Sequence, residues 1–499
     1  MEGKGSRHGT ESILRIDMMT RITLGLARTV KSHRFALAAF LIPLTIRAIP
    51  EILAGPYPIG YDTIASYVPF MHIWASGNFL NYVGTVLGGS LIFAIFGTIY
   101  STTGMDPVFI VKVAGPILYG TLGIAEYIFT RRYMLWSNRR SLLLVLIASI
   151  YFVSLRVSMD LMRDTLAMAF LFFTLAVGKD LKSKISSVEF SSLLLLTIIT
   201  EALVGALVLS LTLIQTISQS GLRSARFVAI IPGITLFTGL LIGFQSAGVQ
   251  IVSSAIRTVP APNALAFAFY IFIPIIPLVV LGARSIGSNI LRNWILVCLV
   301  GLMASATLGS ISQLVWPERW SFLMIFPLTV YATNGFLRLR RPEFQLRYPG
   351  RLLGNIWILV LIVLAGTYIA LPADHAFSYY RFFVPTSMLQ STIPVEDSQE
   401  VASAFHWLTN NTAGDSGIMT TEVMRGWASE YFLGKGTVVS FPFGTTLSQA
   451  LQEMINHGYP RVYTVWWANG SGWYGEPTVP SGFSLVRVFG QFGVFVYVK

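Results

Sequence analysis

Pro58-Ile-Gly-Tyr-Asp62-Thr-Ile-Ala-Ser-Tyr-Val-Pro-Phe-Met-His72-Ile-Trp74 is the stretch on which the reading of this chain turns. It follows the first long apolar run. Asp62 is the only acidic or basic residue other than His72 between Gly55 and Met105. A lone carboxylate between apolar segments is either a helix cap or a reacting group. Thr63 to Trp74 carries Ile64, Val68, Met71 and Trp74 at helical spacing, with Ser66 and His72 off that stripe. Such a helix is too short to span a bilayer and is expected to lie in the interface.

Working outward, the 499 residues are 54% hydrophobic and only 12% charged. A mean hydropathy of +0.65 requires lipid as solvent for most of the chain. The net charge of +12 needs no nucleic-acid partner, because basic residues collect on the cytoplasmic side of membrane proteins. Cys298 stands alone, so no disulfide forms within the chain. The basic N-terminus precedes a run long enough to persist as an anchor, not a cleaved leader. No GxSxG, HExxH, P-loop or Rossmann fingerprint occurs, and His72, His375, His406 and His457 lack ligand spacing.

Residues 1–34 form a basic lead-in, read as cytoplasmic. Residues 35–371 are read as the membrane region. Spans are expected at Phe35–Leu53, Pro107–Phe129, Ser141–Leu155, Thr165–Gly178, Phe190–Ser218, Phe227–Phe244, Asn263–Ala283, Asn293–Val315, Trp320–Phe336 and Leu352–Leu371. Val83–Tyr100 is apolar enough to cross. Placing it as a re-entrant or interfacial segment keeps Arg131, Arg132, Arg139, Arg140, Lys179, Lys182 and Lys184 inside. The first outer loop then runs over residues 54–106. Phe190–Ser218 is read as two short helices turning at Glu201, since one helix would bury that acid in mid-bilayer. The count is about eleven crossings, with the C-terminus outside.

Residues 372–499 change character. Helices are expected at Glu396–Asn411, Glu422–Leu433 and Thr446–His457, and strands at Gly417–Thr421, Thr437–Phe441 and Arg461–Trp467. Phe483–Phe489 and Gly493–Val498 read as a closing hairpin. Alternating helices and strands predict a small extracytoplasmic α/β domain. The sequons at Asn410 and Asn469 suit export.

Four outward positions hold charge beside apolar spans. They are Asp62, the Arg156-Val-Ser-Met-Asp160-Leu-Met-Arg163-Asp164 stretch, Glu201, and Trp316-Pro-Glu318-Arg319-Trp320. Asp160 and Asp164 are spaced as one helical turn. Charges at such depth usually face a cavity. Arginine suits phosphate oxygens, and a carboxylate suits a base or a divalent cation. Alternative roles are helix-end ion pairs for Asp160, Arg163 and Asp164, a helix start for Glu318 and Arg319, and a neutral hydrogen-bonded acid for Glu201. Arg47 and Lys112 are expected to snorkel or pair structurally. Arg257, in the outer loop Gln245–Pro262, is in reach of a phosphate or is simply solvated.

Together these features resemble the GT-C superfamily of multispanning glycosyltransferases. Gly60-Tyr61-Asp62-Thr63 looks like the first-loop acid. Met159-Asp160-Leu161-Met162-Arg163-Asp164 looks like the short Asp-Leu-x-Arg motif of archaeal members. Thr200-Glu201 falls at the characteristic outer break, and Glu318-Arg319-Trp320 looks like an Arg-Trp opening of a late span. The resemblance implies a polytopic helical fold with a C-terminal extracytoplasmic α/β domain. It implies sugar transfer, outside the membrane, from a polyprenyl (dolichyl-type) phosphate-linked donor to a glycan, lipid or protein acceptor. Asp62 would be the catalytic base or a metal-binding acid, and Asp160 and Asp164 would complete a Mg or Mn site. Arg163, Arg319 and Arg257 would hold the donor phosphate, with Glu201 and Glu318 in the same cavity. The chain departs from the pattern in having one first-loop acid. It also lacks Trp-Trp-Asp-Tyr-Gly, which Trp466-Trp467-Ala468-Asn469-Gly470 matches only in part, so an acceptor other than asparagine is expected. Rival readings are a lipid-linked sugar transporter or flippase and a non-catalytic cell-envelope scaffold.

Overall fold

Apolar runs of roughly twenty residues become helices in lipid because each backbone polar group must bond within its own segment. The structure is a computed structural model. It describes residues 33–77, 90–181, 183–219, 224–246, 259–308, 316–340, 350–383, 385–412, 414, 416–432, 436–441, 447–468 and 482–499. The basic lead-in before His33, the start of the 83–100 run, Lys182, Arg257, the middle of the Arg338–Arg351 loop and the Asn469 sequon lie outside the described residues.

Six helices are long and apolar enough to cross a membrane. They are α1 (His33–Leu53), α4 (Pro107–Arg132), α10 (Ala225–Ser246), α13 (Asn289–Thr307), α14 (Pro317–Leu339) and α15 (Gly350–Ala370). Two bent pairs raise the count to eight among the described residues. In one, α5 (Asn138–Ile150) and α6 (Phe152–Asp160) meet at 70°. In the other, α11 (Ala261–Phe272) and α12 (Ile276–Ala283) meet at 85°. Pro274 explains the second bend, since it removes a helix donor after Phe272, and Pro277 suits the first turn of α12, where no donor is needed. The first bend falls at Tyr151, which is extended (φ −80°, ψ 123°), so the segment expected to end at Leu155 turns and continues to Asp160.

α7 (Met162–Gly178) and α8 (Lys184–Thr200) each have 17 residues, and α9 (Ala202–Gln219) has 18. The chain breaks between α8 and α9 at Glu201, which is extended (φ −154°, ψ 118°). The acid therefore sits at a turn and not inside a continuous helix, as its burial cost predicts. α12 and α14 cross with backbones in contact: a Cβ on Gly282 would strike the Tyr331 carbonyl, and one on Gly335 the Leu278 carbonyl.

In the loop after α1 a π-helical turn (Thr63–Tyr67) leads into α2 (Val68–Ala75). α3 (Ser90–Thr103) has 14 residues, too short to span, and packs on α2 with Phe93 and Phe70 ring centroids 4.2 Å apart. The expected apolar stripe exists, but Ile64, Val68 and Met71 face protein, not lipid. They share a core with Phe93, Phe405, Trp427 and Val462.

The C-terminal unit is a five-stranded sheet of order β2-β1-β3-β5-β4. Its strands are β1 (Ser416–Thr421), β2 (Gly436–Phe441), β3 (Arg461–Trp467), β4 (Ser484–Phe489) and β5 (Phe492–Val498). β1 pairs in parallel with β2 and β3, and the β4–β5 hairpin closes antiparallel on β3. Helices α16 (Ser398–Asn411), α17 (Glu422–Tyr431) and α18 (Leu447–Asn456) supply the layers, as in a parallel crossover unit. The fold is a polytopic helical membrane protein with a small C-terminal α/β unit.

α17 lies directly on the loop after α1. Gly426 has no room for a side chain, because a Cβ there would strike the Ile64 carbonyl. One residue on, the Trp427 ring packs 6.0 Å from that of Tyr57.

Candidate functional site

The site is assembled from four separate segments by two arginines. Asp62 begins the π-helical turn, yet its side chain makes no capping bond. Its Oδ2 lies 3.9 Å from Nη2 of Arg163. Arg163 in turn places Nε 3.7 Å from Oε2 of Glu201. Arg319, in the first turn of α14, brings Nη1 to 3.6 Å from Oε1 of Glu201 and Nη2 to 3.9 Å from Oδ2 of Asp164. The first loop, the start of α7, the α8–α9 break and the start of α14 thus converge on one charged set.

Asp160 and Asp164 are not one turn apart on a helix. α6 ends at Asp160, Leu161 leaves the helical region (φ −85°, ψ 54°), and α7 starts at Met162. Asp160 pairs instead with Arg156, four residues earlier on α6. Tyr67 ties this turn to the first loop: its hydroxyl donates to the Asp160 carbonyl at 3.3 Å and accepts from the Arg163 N–H at 3.4 Å.

Gly60 explains how closely the two loops approach. It has φ +92°, and a Cβ there would lie 2.7 Å from the Met159 carbonyl oxygen. Its N–H donates to the Gln390 carbonyl at 2.8 Å, so the stretch after α15 grips the acid-bearing loop from the other side.

Arg47 and Lys112 act from beneath. Arg47 is fully buried and donates to the Ser158 and Met159 carbonyls at 3.1 and 3.3 Å, at the C-terminal end of α6 where carbonyls lack helical partners. Glu51 pairs with Arg47 at 2.9 Å and with Lys112 at 3.1 Å. Both cations pair structurally, as expected.

Burial, and then the like charge of Asp160, hold the Asp62 carboxyl above its ordinary pKa, against the pull of Arg163, Arg319 and Arg156. Oδ2 of Asp164 and Oε2 of Glu201 are buried with no hydrogen-bond partner. Each is met instead by an arginine at ion-pair distance, Glu201 by Arg163 at 3.7 Å and Asp164 by Arg319 at 3.9 Å. Glu318 also has a buried, unpartnered Oε2, but it makes no ion pair among the described residues. Arg257 lies outside the described residues.

The expected three-carboxylate centre is not formed. Asp62, Asp160 and Asp164 each face an arginine, and among the described residues no group of three His, Cys, Asp or Glu stands close enough to hold a metal ion. These residues do not fit such a centre, and no step below runs through a metal.

Sequence reading missed the close approach at Gly60 and the role of Tyr67. A glycine two residues before a lone acid, and a tyrosine on the apolar stripe, were the available signals.

The structure thus combines a helical bundle, a charged set gathered between its loops, and an α/β unit packed on the first of those loops. Among solved structures the chain is similar to ArnT from Cupriavidus metallidurans bound to undecaprenyl phosphate, with TM-score 0.57 and 11% identity over 94% of this chain and 98% of that one. The apo state of the same enzyme gives TM-score 0.57 and 12% identity over the same shares. The archaeal oligosaccharyltransferase AglB from Archaeoglobus fulgidus, in complex with an inhibitory peptide and a dolichol-phosphate, overlaps at TM-score 0.42 and 11% identity over 87% of this chain and 70% of that one. At 11–12% identity the likeness to ArnT is one of fold. No family model matches the chain, and no curated protein matches it significantly by sequence.

Proposed function

We propose that the protein is a membrane glycosyltransferase that moves a sugar or oligosaccharide from a polyprenyl-phosphate-linked donor to an acceptor on the outer face of the membrane. The observation that carries this reading is the placement of Asp62 beside Arg163, which shares Glu201 with Arg319. Arg163 and Arg319 hold the donor phosphate oxygens. Their guanidiniums stand 3.6–3.9 Å from the carboxylates and keep donors free for a ligand. Asp62 accepts the proton of the acceptor hydroxyl or amine as that atom bonds to the sugar anomeric carbon. The bond from that carbon to the phosphate oxygen breaks, and the polyprenyl phosphate leaves with the electron pair, its charge met by the arginines.

In this reading residues 1–34 are cytoplasmic, residues 35–371 are the membrane region, and residues 372–499 cover the outer mouth of the site. ArnT, whose fold the chain shares, has been solved with undecaprenyl phosphate, which supports a carrier of that class.

The test is transfer by purified protein in lipid from a panel of radiolabelled polyprenyl-phosphate sugars, with and without Mg²⁺ or Mn²⁺, comparing wild type with Asp62→Asn. Transfer lost in the variant with donor binding kept supports the reading. Equal transfer in both removes Asp62 from the mechanism. Donor movement across vesicles without transfer favours a transporter instead.

A further inference from the structure

α14 carries a second feature, far from Arg319. About 18 Å along the helix, Tyr331 lines a cavity of about 350 Å³. Its other walls are Val279 of α12, Arg284 and Ile286 of the following turn, and Arg292 and Ile295 of α13. No carboxylate lines it. Arg284 is exposed and makes no ion pair or hydrogen bond among the described residues, while Arg292 donates to Asn289. Tyr331 is only 3% exposed, yet its hydroxyl has no hydrogen-bond partner among the described residues. A phenol with no such partner, at the wall of a cavity that also holds two guanidiniums, suits an anionic acceptor.

The surroundings narrow the class of that anion. Val280 and Leu296, next in sequence to two lining residues, are 50% and 57% exposed on helices suited to lipid. The cavity therefore joins a charged floor to an apolar rim. A free anion would leave the Val279, Ile286 and Ile295 walls uncovered, whereas a lipid covers both. The same end of the bundle is basic, with Arg140 held on Asn334 and Arg338 on the Leu281 carbonyl at 2.9 Å.

We propose that this cavity binds the phosphate head group of an anionic membrane phospholipid. Arg284 and Arg292 hold the phosphate oxygens, the Tyr331 hydroxyl donates a third bond, and the apolar walls take the start of an acyl chain. The site does not depend on the sugar-transfer reading.

The test is native mass spectrometry of the full chain in detergent, titrated with phosphatidylglycerol or with phosphatidylcholine of the same acyl chains. A third arm adds inorganic phosphate to the phosphatidylglycerol complex. Wild type is expected to hold phosphatidylglycerol about tenfold better than phosphatidylcholine, a preference lost in Arg284→Gln/Arg292→Gln and weakened in Tyr331→Phe. Both arginines are exposed, so the double variant is expected to fold, and Tyr331→Phe reads the site independently of charge. Equal retention of phosphatidylglycerol by wild type and both variants overturns the proposal. Ready displacement by inorganic phosphate overturns the lipid assignment.

Discussion

Nε2 of His72 lies 2.7 Å from Oε2 of Glu430, joining the loop after α1 to the α/β unit across most of the chain. The Tyr100 hydroxyl reaches Nδ1 of the same ring at 3.2 Å. With Tyr100 donating to Nδ1, the imidazole donates its Nε2–H to the carboxylate, so three elements meet at one side chain. His72→Phe keeps the volume and removes both bonds. It is expected to lower stability by about 1–2 kcal/mol and to raise deuterium uptake in residues 61–75 and 422–431 together. Unchanged exchange in either segment refutes the link.

Gly426 tests the same junction by shape. A Cβ there strikes the backbone of Ile64, which cannot move without shifting Asp62. Gly426→Val is expected to cut transfer at least tenfold while the melting of the membrane helices changes little. Full activity in this variant would show that α17 does not position the acid.

The raised pKa of Asp62 predicts the acid limb of the pH profile. Below that pKa the carboxyl is protonated and accepts no proton, so transfer rises as pH passes through it. The limb should therefore lie above the ordinary carboxylate value. Asp160→Asn removes a like charge and should move the limb down, whereas Arg163→Gln removes a stabilising charge and should move it up. A limb that moves with neither variant excludes Asp62 as its source.

Arg319→Lys keeps the charge but loses the planar fork that spans Glu201 and Asp164. The Michaelis constant for the donor should rise about tenfold, with a smaller change in turnover. Equal kinetics would place the donor phosphate elsewhere.

Orientation is open to direct labelling. Cys298 is fully buried, so single cysteines at Ser137 and Ser183 can be read in a Cys298→Ala background. Both positions precede helix starts at the basic end of the bundle. They should resist a membrane-impermeant thiol reagent in intact cells and react after permeabilisation. Labelling of both from outside inverts the proposed topology.

Much of this architecture was legible before the structure. The α8–α9 break could be read because a mid-span acid is expensive, and Glu201 is the only acidic or basic residue between Glu189 and Arg223. The strands of the α/β unit could be read because each is a short apolar run between turn residues. The break at Leu161 falls within the Arg156–Asp164 stretch read as a short loop between spans, whereas the bend at Tyr151 could not be read, since no proline or glycine marks it. The burial of the Ile64, Val68 and Met71 stripe under α17 was equally hidden. Its partner lies hundreds of residues away, and an apolar stripe looks the same facing lipid or protein. Whether Asp62 capped its helix was undecidable from residue type alone, and only the direction of the side chain toward Arg163 separates the two roles.

The arginines that gather the site leave one carboxylate more than they have guanidiniums: Asp62, Asp160, Asp164 and Glu201 against Arg156, Arg163 and Arg319. A phosphate arriving there deepens the imbalance unless a carboxyl takes up a proton. Under the proposed function, donor capture would then bring proton uptake, and affinity is expected to decline as the medium turns alkaline. Binding favours the acid side and proton abstraction the alkaline side, so the working range is a window bounded by one cluster at both edges.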